Sequence, residues 1–220
     1  MLKLRHTEDS LIEVGIDEAG RGCFWGPMYA GAVIWKEDLT EEELEVTSQI
    51  KDSKKLSPKR RIALAKAIKE IAVAWSVGVV NPSEIDEIGM TKANQLAFTR
   101  ALNNLSVKPE RLLIDGILSI FDAPWSLSEQ VVEVEADNHY VAVAAASILA
   151  KTEHDEWVKQ FCDLNQNIAE TYNLASNKGY GTAKHRAAIV QHGTHSLHRQ
   201  SFLKKLFAGH TTVDAKELLE

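Results

Sequence analysis

The chain has 220 residues, 45% of them hydrophobic and 25% charged, with a formal net charge of −6. That length predicts a single domain with a sizeable core, 1–220, and the composition is that of an ordinary globular protein. The longest apolar run, VAVAAASILA (141–150), is too short to cross a bilayer, and MLKLRHTEDS has no signal-peptide core. A soluble cytoplasmic protein with no membrane partner is expected. The two cysteines, Cys23 and Cys162, form no CxxC pair and no zinc spacing, so free thiols are expected.

The predicted elements run in this order. LIEVGID (11–17) is a strand ending in acid, and PMYAGAVIW (27–35) a second, apolar strand. TEEELEVTSQI is a short helix capped by Thr40. SPKRRIALAKAIKEI (57–71) is a helix with Ser57 as N-cap and Pro58 in the first turn. VAWSVGVV (73–80) is a strand, NPSEIDEI starts a short helix, and TKANQLAFTRALNNL (91–105) is a longer one. RLLID (111–115) is a short strand that also ends in acid. VVEVEA (131–136) alternates as a half-buried strand does. A long helix follows over roughly 139–163. TAKHRAAIVQHG (182–193) is a helix capped by Thr182 and stopped by Gly193, and 213–219 is one more helix or a frayed tail. Early strands followed by alternating helices and strands predict an α/β fold with a mixed sheet, antiparallel first and parallel later.

Charge is unevenly placed. Between Glu170 and Asp214 there is no acid, while Lys178, Lys184, Arg186, Arg199, Lys204, Lys205 and five histidines occur there; KDSKKLSPKRR (51–61) is a second basic run. Both are expected as solvated charge or as a phosphate-binding face. The His-rich loop GTHSLH (193–198) is expected as a neutral surface loop, or as one that adds to the basic face below pH ~6.5.

Ligands of open α/β sheets bind beyond the carboxyl ends of strands. Asp17 and Glu18 end one strand, Asp115 ends another, and Asp137 follows the third acidic strand. If the first and fourth strands are neighbours, these acids gather at one sheet edge. Carboxylates so placed, without Cys or His donors, suit Mg2+ or Mn2+, which can activate a water for phosphodiester hydrolysis. The alternatives are turn and cap roles, above all for Asp137 as a helix N-cap.

The segments GIDEAGRG (15–22), DSKKLS (52–57), LLIDG (112–116), AAASILAK (144–151), NKGYGT (177–182) and HRQSF (198–202) resemble, in this order, the motifs of type 2 ribonucleases H (ribonuclease HII). The resemblance implies a ribonuclease H-like fold, with a five-stranded mixed sheet flanked by helices and a helical C-terminal part, 182–220. It implies cleavage of RNA in RNA/DNA hybrids and incision 5′ of ribonucleotides embedded in duplex DNA, leaving 3′-hydroxyl and 5′-phosphate ends. By position, Asp17, Glu18, Asp115 and Asp137 match the family's catalytic metal-binding acids. Gly20, Arg21 and Gly22 match the loop that reads the 2′-hydroxyl, Tyr180 the tyrosine on the neighbouring sugar, and Lys54 and Lys55 a phosphate-contacting segment. Arg21 as a salt-bridge partner of the nearby acids, and Tyr180 as a loop aromatic, are the competing readings. The chain departs from the family pattern at Cys23-Phe24-Trp25, where smaller residues around a proline are usual, and at His154, where arginine is frequent. QSFLKKLF (200–207) is faintly similar to sliding-clamp peptides, but packing explains it better. Asn94 and Gln95 could face DNA, although their helix is more simply core. A monomer is expected. The alternatives are a type 3 ribonuclease H that cleaves hybrids only, which the short stretch before the acid pair disfavours, and a non-catalytic hybrid-binding module, which would not need four acids.

Overall fold

Apolar residues on both sides of the first two strands leave no solvent face, so layers must cover the sheet from above and below. The computed structural model, which describes residues 2–122 and 124–208, shows that arrangement. Strands β1 (Glu13–Ala19), β2 (Met28–Ile34), β3 (Ala74–Val80), β4 (Arg111–Asp115) and β5 (Glu129–Glu133) form one five-stranded sheet in the order β3-β2-β1-β4-β5. The pairs β1–β2 and β2–β3 are antiparallel, and β1–β4 and β4–β5 are parallel. The mixed sheet matches the expectation from sequence, and the first and fourth strands are neighbours, the condition on which the acids gather at one edge.

Helices α1 (Glu41–Gln49) and α2 (Pro58–Ile71) begin at Thr40 and Ser57, whose hydroxyls accept from Glu43 N–H and Arg60 N–H. Helices α3 (Pro82–Ile88) and α4 (Met90–Asn103) cover one sheet face, where Val14, Ile16, Leu112 and Ile114 meet Ala97, Phe98 and Ala101. The other face is covered by α5 (Val141–Leu164), 24 residues and about 36 Å long. Its Ala-rich first half lies flat on β1 and β2 because glycines face it: a Cβ on Gly15 would stand 2.2 Å from the Ala142 carbonyl carbon, and one on Gly31 2.3 Å from the Ala146 oxygen.

The second half of α5 leaves the sheet and joins α6 (Gln166–Thr171), α7 (Leu174–Asn177), α8 (Ala183–His192) and α9 (Gln200–Ala208). These elements share an apolar cluster with Trp25, which is fully buried between Val158, Leu174, Ile189 and Leu203. α8 is capped by Thr182 and stopped by Gly193, as its sequence predicts. α6 and α7 have no counterpart among the sequence expectations, and α9 falls within the helical C-terminal part that the resemblance implies. The predicted helix over 213–219 lies outside the described residues. Leu203 of QSFLKKLF is fully buried, and Asp86 accepts from the N–H groups of Gln200 and Ser201, so this segment packs within the fold. Both cysteines are free and buried. Among the described residues no helix is long and apolar enough to cross a membrane.

Candidate active site

β1 does not end at Asp17. It continues to Ala19 because β2 pairs with it that far, with Asp17 opposite Gly31 and Glu18 opposite Ala30. The parallel ladder to β4 ends earlier, at Ile16 opposite Ile114. Asp17 and Asp115 are the next residue on each strand, so they emerge side by side where the β1–β4 ladder opens.

Successive side chains in a strand point to opposite faces. Asp17 therefore falls on the α5 side, where the Ser147 hydroxyl hydrogen-bonds it. Glu18 falls on the α4 side, where Asn94 hydrogen-bonds it. Asn94, considered from sequence for DNA contact, is buried and serves Glu18, while Gln95 donates to the Ser119 carbonyl.

Asp137 is not a helix cap. The last β-strand stops at Glu133, short of the expected 136, because Glu135 takes a left-handed conformation at φ 60°. The chain then folds into a 3-10 turn, Ala136–Asn138. Ala136 N–H donates to Asp115 Oδ1 at 2.8 Å, which ties this turn to the end of β4 and places Asp137, buried, beside Asp115. The cap of α5 is Tyr140.

Burial pushes the Asp17 carboxyl well above the usual range, and the charges of Glu18 and Asp115 add to it. Burial also raises Glu18, against Arg21, and the Asp115 charge raises it further. Asp115 is raised by burial, against the Ala136 hydrogen bond; Asp137 is raised by burial, then by Asp115 and by Asp52, an acid that sequence reasoning passed over. Asp115 thus couples to each of the other three.

The cationic complement is thin. Exposed Lys54 offsets charge on Glu18, Asp115 and Asp137, and Arg21 stands 3.8 Å from Glu18, the ion pair weighed as its alternative role. Lys55 donates to Asn138 at 2.7 Å. Among the described residues no three acid, imidazole or thiol groups already surround one point, as expected when Asp17 and Glu18 leave opposite faces. The donor chemistry still fits a hard divalent cation: neighbouring carboxylates with raised proton affinity and too little positive charge.

Next to the acids the chain turns at Gly20, φ 79°. The Arg21 carbonyl is held at 2.9 Å by Arg199, whose Nε donates to the Gly26 carbonyl at 3.0 Å. Arg199 is fully buried, not part of a basic face. Cys23-Phe24-Trp25 stitches this loop to the C-terminal segments. Cys23 bridges Tyr180, Trp25 bridges His198, and Phe24 N–H donates to the Gly179 carbonyl at 2.8 Å. Tyr180 is 37% exposed, stands next to Gly22 and lies under Lys151 Nζ at 5.3 Å. Arg21, Gly22 and Tyr180 therefore form one exposed surface beside the acids, with Gly20 buried beneath it.

The ribonuclease HII family profile matches residues 14–208. The chain belongs to the ribonuclease HII family. It is 45% identical over 199 residues to a ribonuclease HII of Bacteroides thetaiotaomicron, spanning 90% of this chain and 93% of the relative. Ribonuclease H2 from Pyrococcus horikoshii has a structure similar to it, with TM-score 0.70, 27% identity and coverage of 88% and 96%. So has the Archaeoglobus fulgidus ribonuclease HII solved in complex with PCNA, with TM-score 0.67, 26% identity and the same coverages.

The His-rich loop is neither a plain surface loop nor a basic supplement. His198 is buried, and His195 is half-buried. His195 N–H donates to His198 Nδ1 at 2.8 Å, so His198 carries its proton on Nε2 and donates it to His185 Nε2 at 3.0 Å. His185 Nδ1–H then donates to the Tyr180 carbonyl at 2.9 Å. This line of neutral rings braces Tyr180 from behind. Burial, and then the neighbouring His185, lower His198 to about 4; burial also lowers His185 and His195.

A depressed imidazole favours the fold fully above the unfolded value near ~6.5 and loses that contribution as pH falls toward the folded value. His198 accounts for about 3 kcal/mol lost between pH ~6.5 and ~4. Thermal denaturation across that window is expected to show a shallower fall in His198→Gln than in wild type. Parallel curves would show that His198 is not held neutral.

Proposed function

We propose that the chain hydrolyses the RNA strand of RNA/DNA hybrids and incises duplex DNA 5′ of an embedded ribonucleotide, leaving 3′-hydroxyl and 5′-phosphate ends. The supporting observation is continuity: the acids that surround Asp115 lead within three residues into the Gly20–Gly22 loop, which is braced against Tyr180. Asp17, Glu18, Asp115 and Asp137 are the residues that would hold Mg2+ or Mn2+. When bound, such an ion lowers the pKa of water and stabilises a leaving oxygen.

The chain's own groups supply the rest. Glycine backbone at Gly20 and Gly22 can approach a ribose closely enough to hydrogen-bond its 2′-hydroxyl, the group that separates RNA from DNA. Arg21, adjacent to both loop and acids, can meet the phosphate beside that sugar. The half-exposed Tyr180 ring can lie on the following deoxyribose, where a second hydroxyl would crowd it. Exposed Lys54 and Lys55 can contact phosphates without regard to sequence, an attraction that weakens with salt.

Incision of a duplex with one embedded ribonucleotide, in Mg2+ and in Mn2+, tests this reading against an all-DNA control. Site-specific nicking 5′ of the ribonucleotide is the expected result, and no nicking in either ion sinks the proposal. Hybrid cleavage alone would support the hybrid-only alternative. Tyr180→Ala is expected to lose roughly 10- to 100-fold in kcat/KM on the single-ribonucleotide duplex, the scale of one lost stacking contact.

A further inference from the structure

Of the buried polar groups near the site, His154 is the one to which no catalytic or binding role has fallen. It lies on α5, in the half beyond the sheet, and is fully buried. Its Nδ1–H donates to Asp155 Oδ1 at 3.1 Å. Asp155 is itself held by Lys151 at 2.8 Å and by Arg61 at 2.7 Å, so the imidazole has one orientation. The opposite edge of the ring faces the loop. Nε2 is 3.7 Å from Cys23 Sγ. A Cβ added to Gly20 would lie 2.7 Å from His154 Cδ2 and 2.8 Å from Nε2, so the ring sits directly against the Gly20 backbone. The Tyr180 ring is 6.4 Å away on another side, and the same Lys151 that anchors Asp155 lies over it. Tyr29 closes the remaining side edge-on at 6.0 Å.

We propose that His154 is a positioning residue for ribonucleotide recognition: its ring, oriented by Asp155, is the platform that sets the spacing between the Gly20–Gly22 loop and Tyr180. The inference rests on the function proposed above and adds a determinant of substrate preference to it. The physical reason for a preference effect is register. A long hybrid offers a 2′-hydroxyl at every step, so a displaced loop still finds a productive position. A single ribonucleotide offers one, and loop and tyrosine must bracket that sugar together. Displacement by an ångström costs roughly 100-fold in such a constellation.

The test compares kcat/KM on a single-ribonucleotide duplex with that on a long hybrid. His154→Ala empties the platform and is expected to lower the single-to-hybrid ratio roughly 30-fold, with Mn2+ affinity by calorimetry unchanged. His154→Asn retains an N–H donor for Asp155 but lacks the ring; it is expected to fold as wild type and still lower the ratio roughly 10-fold. It carries the comparison should the alanine variant be insoluble. Equal losses on both substrates, or an unchanged ratio in His154→Asn, overturn the proposal while wild-type incision stands. Wild type that fails to nick the single-ribonucleotide duplex overturns the functional reading instead.

Discussion

Asp17→Asn is expected to abolish catalysis and to make the protein more stable. The substitution keeps the shape of the side chain and leaves an oxygen to accept the 2.6 Å hydrogen bond from Glu18 N–H. It removes one charge from a buried, mutually repelling set. Asp17 is only 6% exposed, and burial with two neighbouring acids holds its carboxyl well above the ordinary range. A carboxyl raised in the folded state binds protons that the unfolded state does not, so its influence turns against the fold as pH rises through the folded value. The wild type carries that penalty wherever the carboxyl is ionised in the fold, and the asparagine variant does not. A gain of about 2 kcal/mol, roughly 4–8 °C in Tm, is expected. The loss in kcat is expected to reach ~1000-fold, about 4 kcal/mol. Mg2+ at about 100 times its Kd should stabilise the wild type by about 2.7 kcal/mol and the variant by much less. Differential scanning calorimetry with and without Mg2+, beside the incision assay, checks all three. A variant that is less stable than wild type at pH 7 would show that these acids are arranged for structure.

That trade explains which parts of the molecule were legible from sequence. Periodicity and caps report local energetics, and where local energetics decide the structure the elements fall where expected: RLLID is β4 without a residue's error, and Ser57 starts α2. The acid pair stood out for the opposite reason, as a local conflict of like charges, and both carboxyls are raised in the fold. What sequence pattern misplaced depends on distant partners. β1 outruns its predicted end because β2 pairs past it, and β5 stops early because Glu135 turns left-handed to bring Ala136 to Asp115. Arg199 and His198 look like surface charge until Gly26, Arg21 and His185 are placed around them. The bulky Cys23-Phe24-Trp25, out of keeping with the family pattern, follows the same rule: Trp25 is core for helices more than a hundred residues further along the chain.

Gly31→Ala is expected to damage both stability and rate although it adds only one methyl and removes no acid. Gly31 has ordinary strand geometry, and conformational freedom is not what it provides. It provides absence of a side chain under α5. The added Cβ would meet Ala146 at 2.3 Å from the carbonyl oxygen and 3.0 Å from the carbonyl carbon. Both are backbone atoms in the middle of a long helix, so relief requires lifting α5 from the sheet. Gly31 is paired directly with Asp17, and Ser147, the next residue after Ala146, hydrogen-bonds Asp17. Lifting the helix therefore disturbs the acid-bearing sheet edge as well as the core. Overpacking against side chains costs ~1–3 kcal/mol. Against immovable backbone the cost should be at least about 3 kcal/mol, roughly 6–12 °C in Tm. Rate in the folded fraction should fall roughly 10-fold or more. Gly89→Ala is the control. That glycine, at the α3–α4 junction, has φ 79° and ψ 160° with nothing within 4 Å of an added Cβ, so backbone strain of about 1–3 kcal/mol is expected with no effect on rate. Thermal melts and single-ribonucleotide incision by the two variants separate the roles. If Gly31→Ala melts within 2 °C of wild type, on the scale of roughly 2–4 °C per kcal/mol, close contact between α5 and β2 is not what holds Asp17 in place.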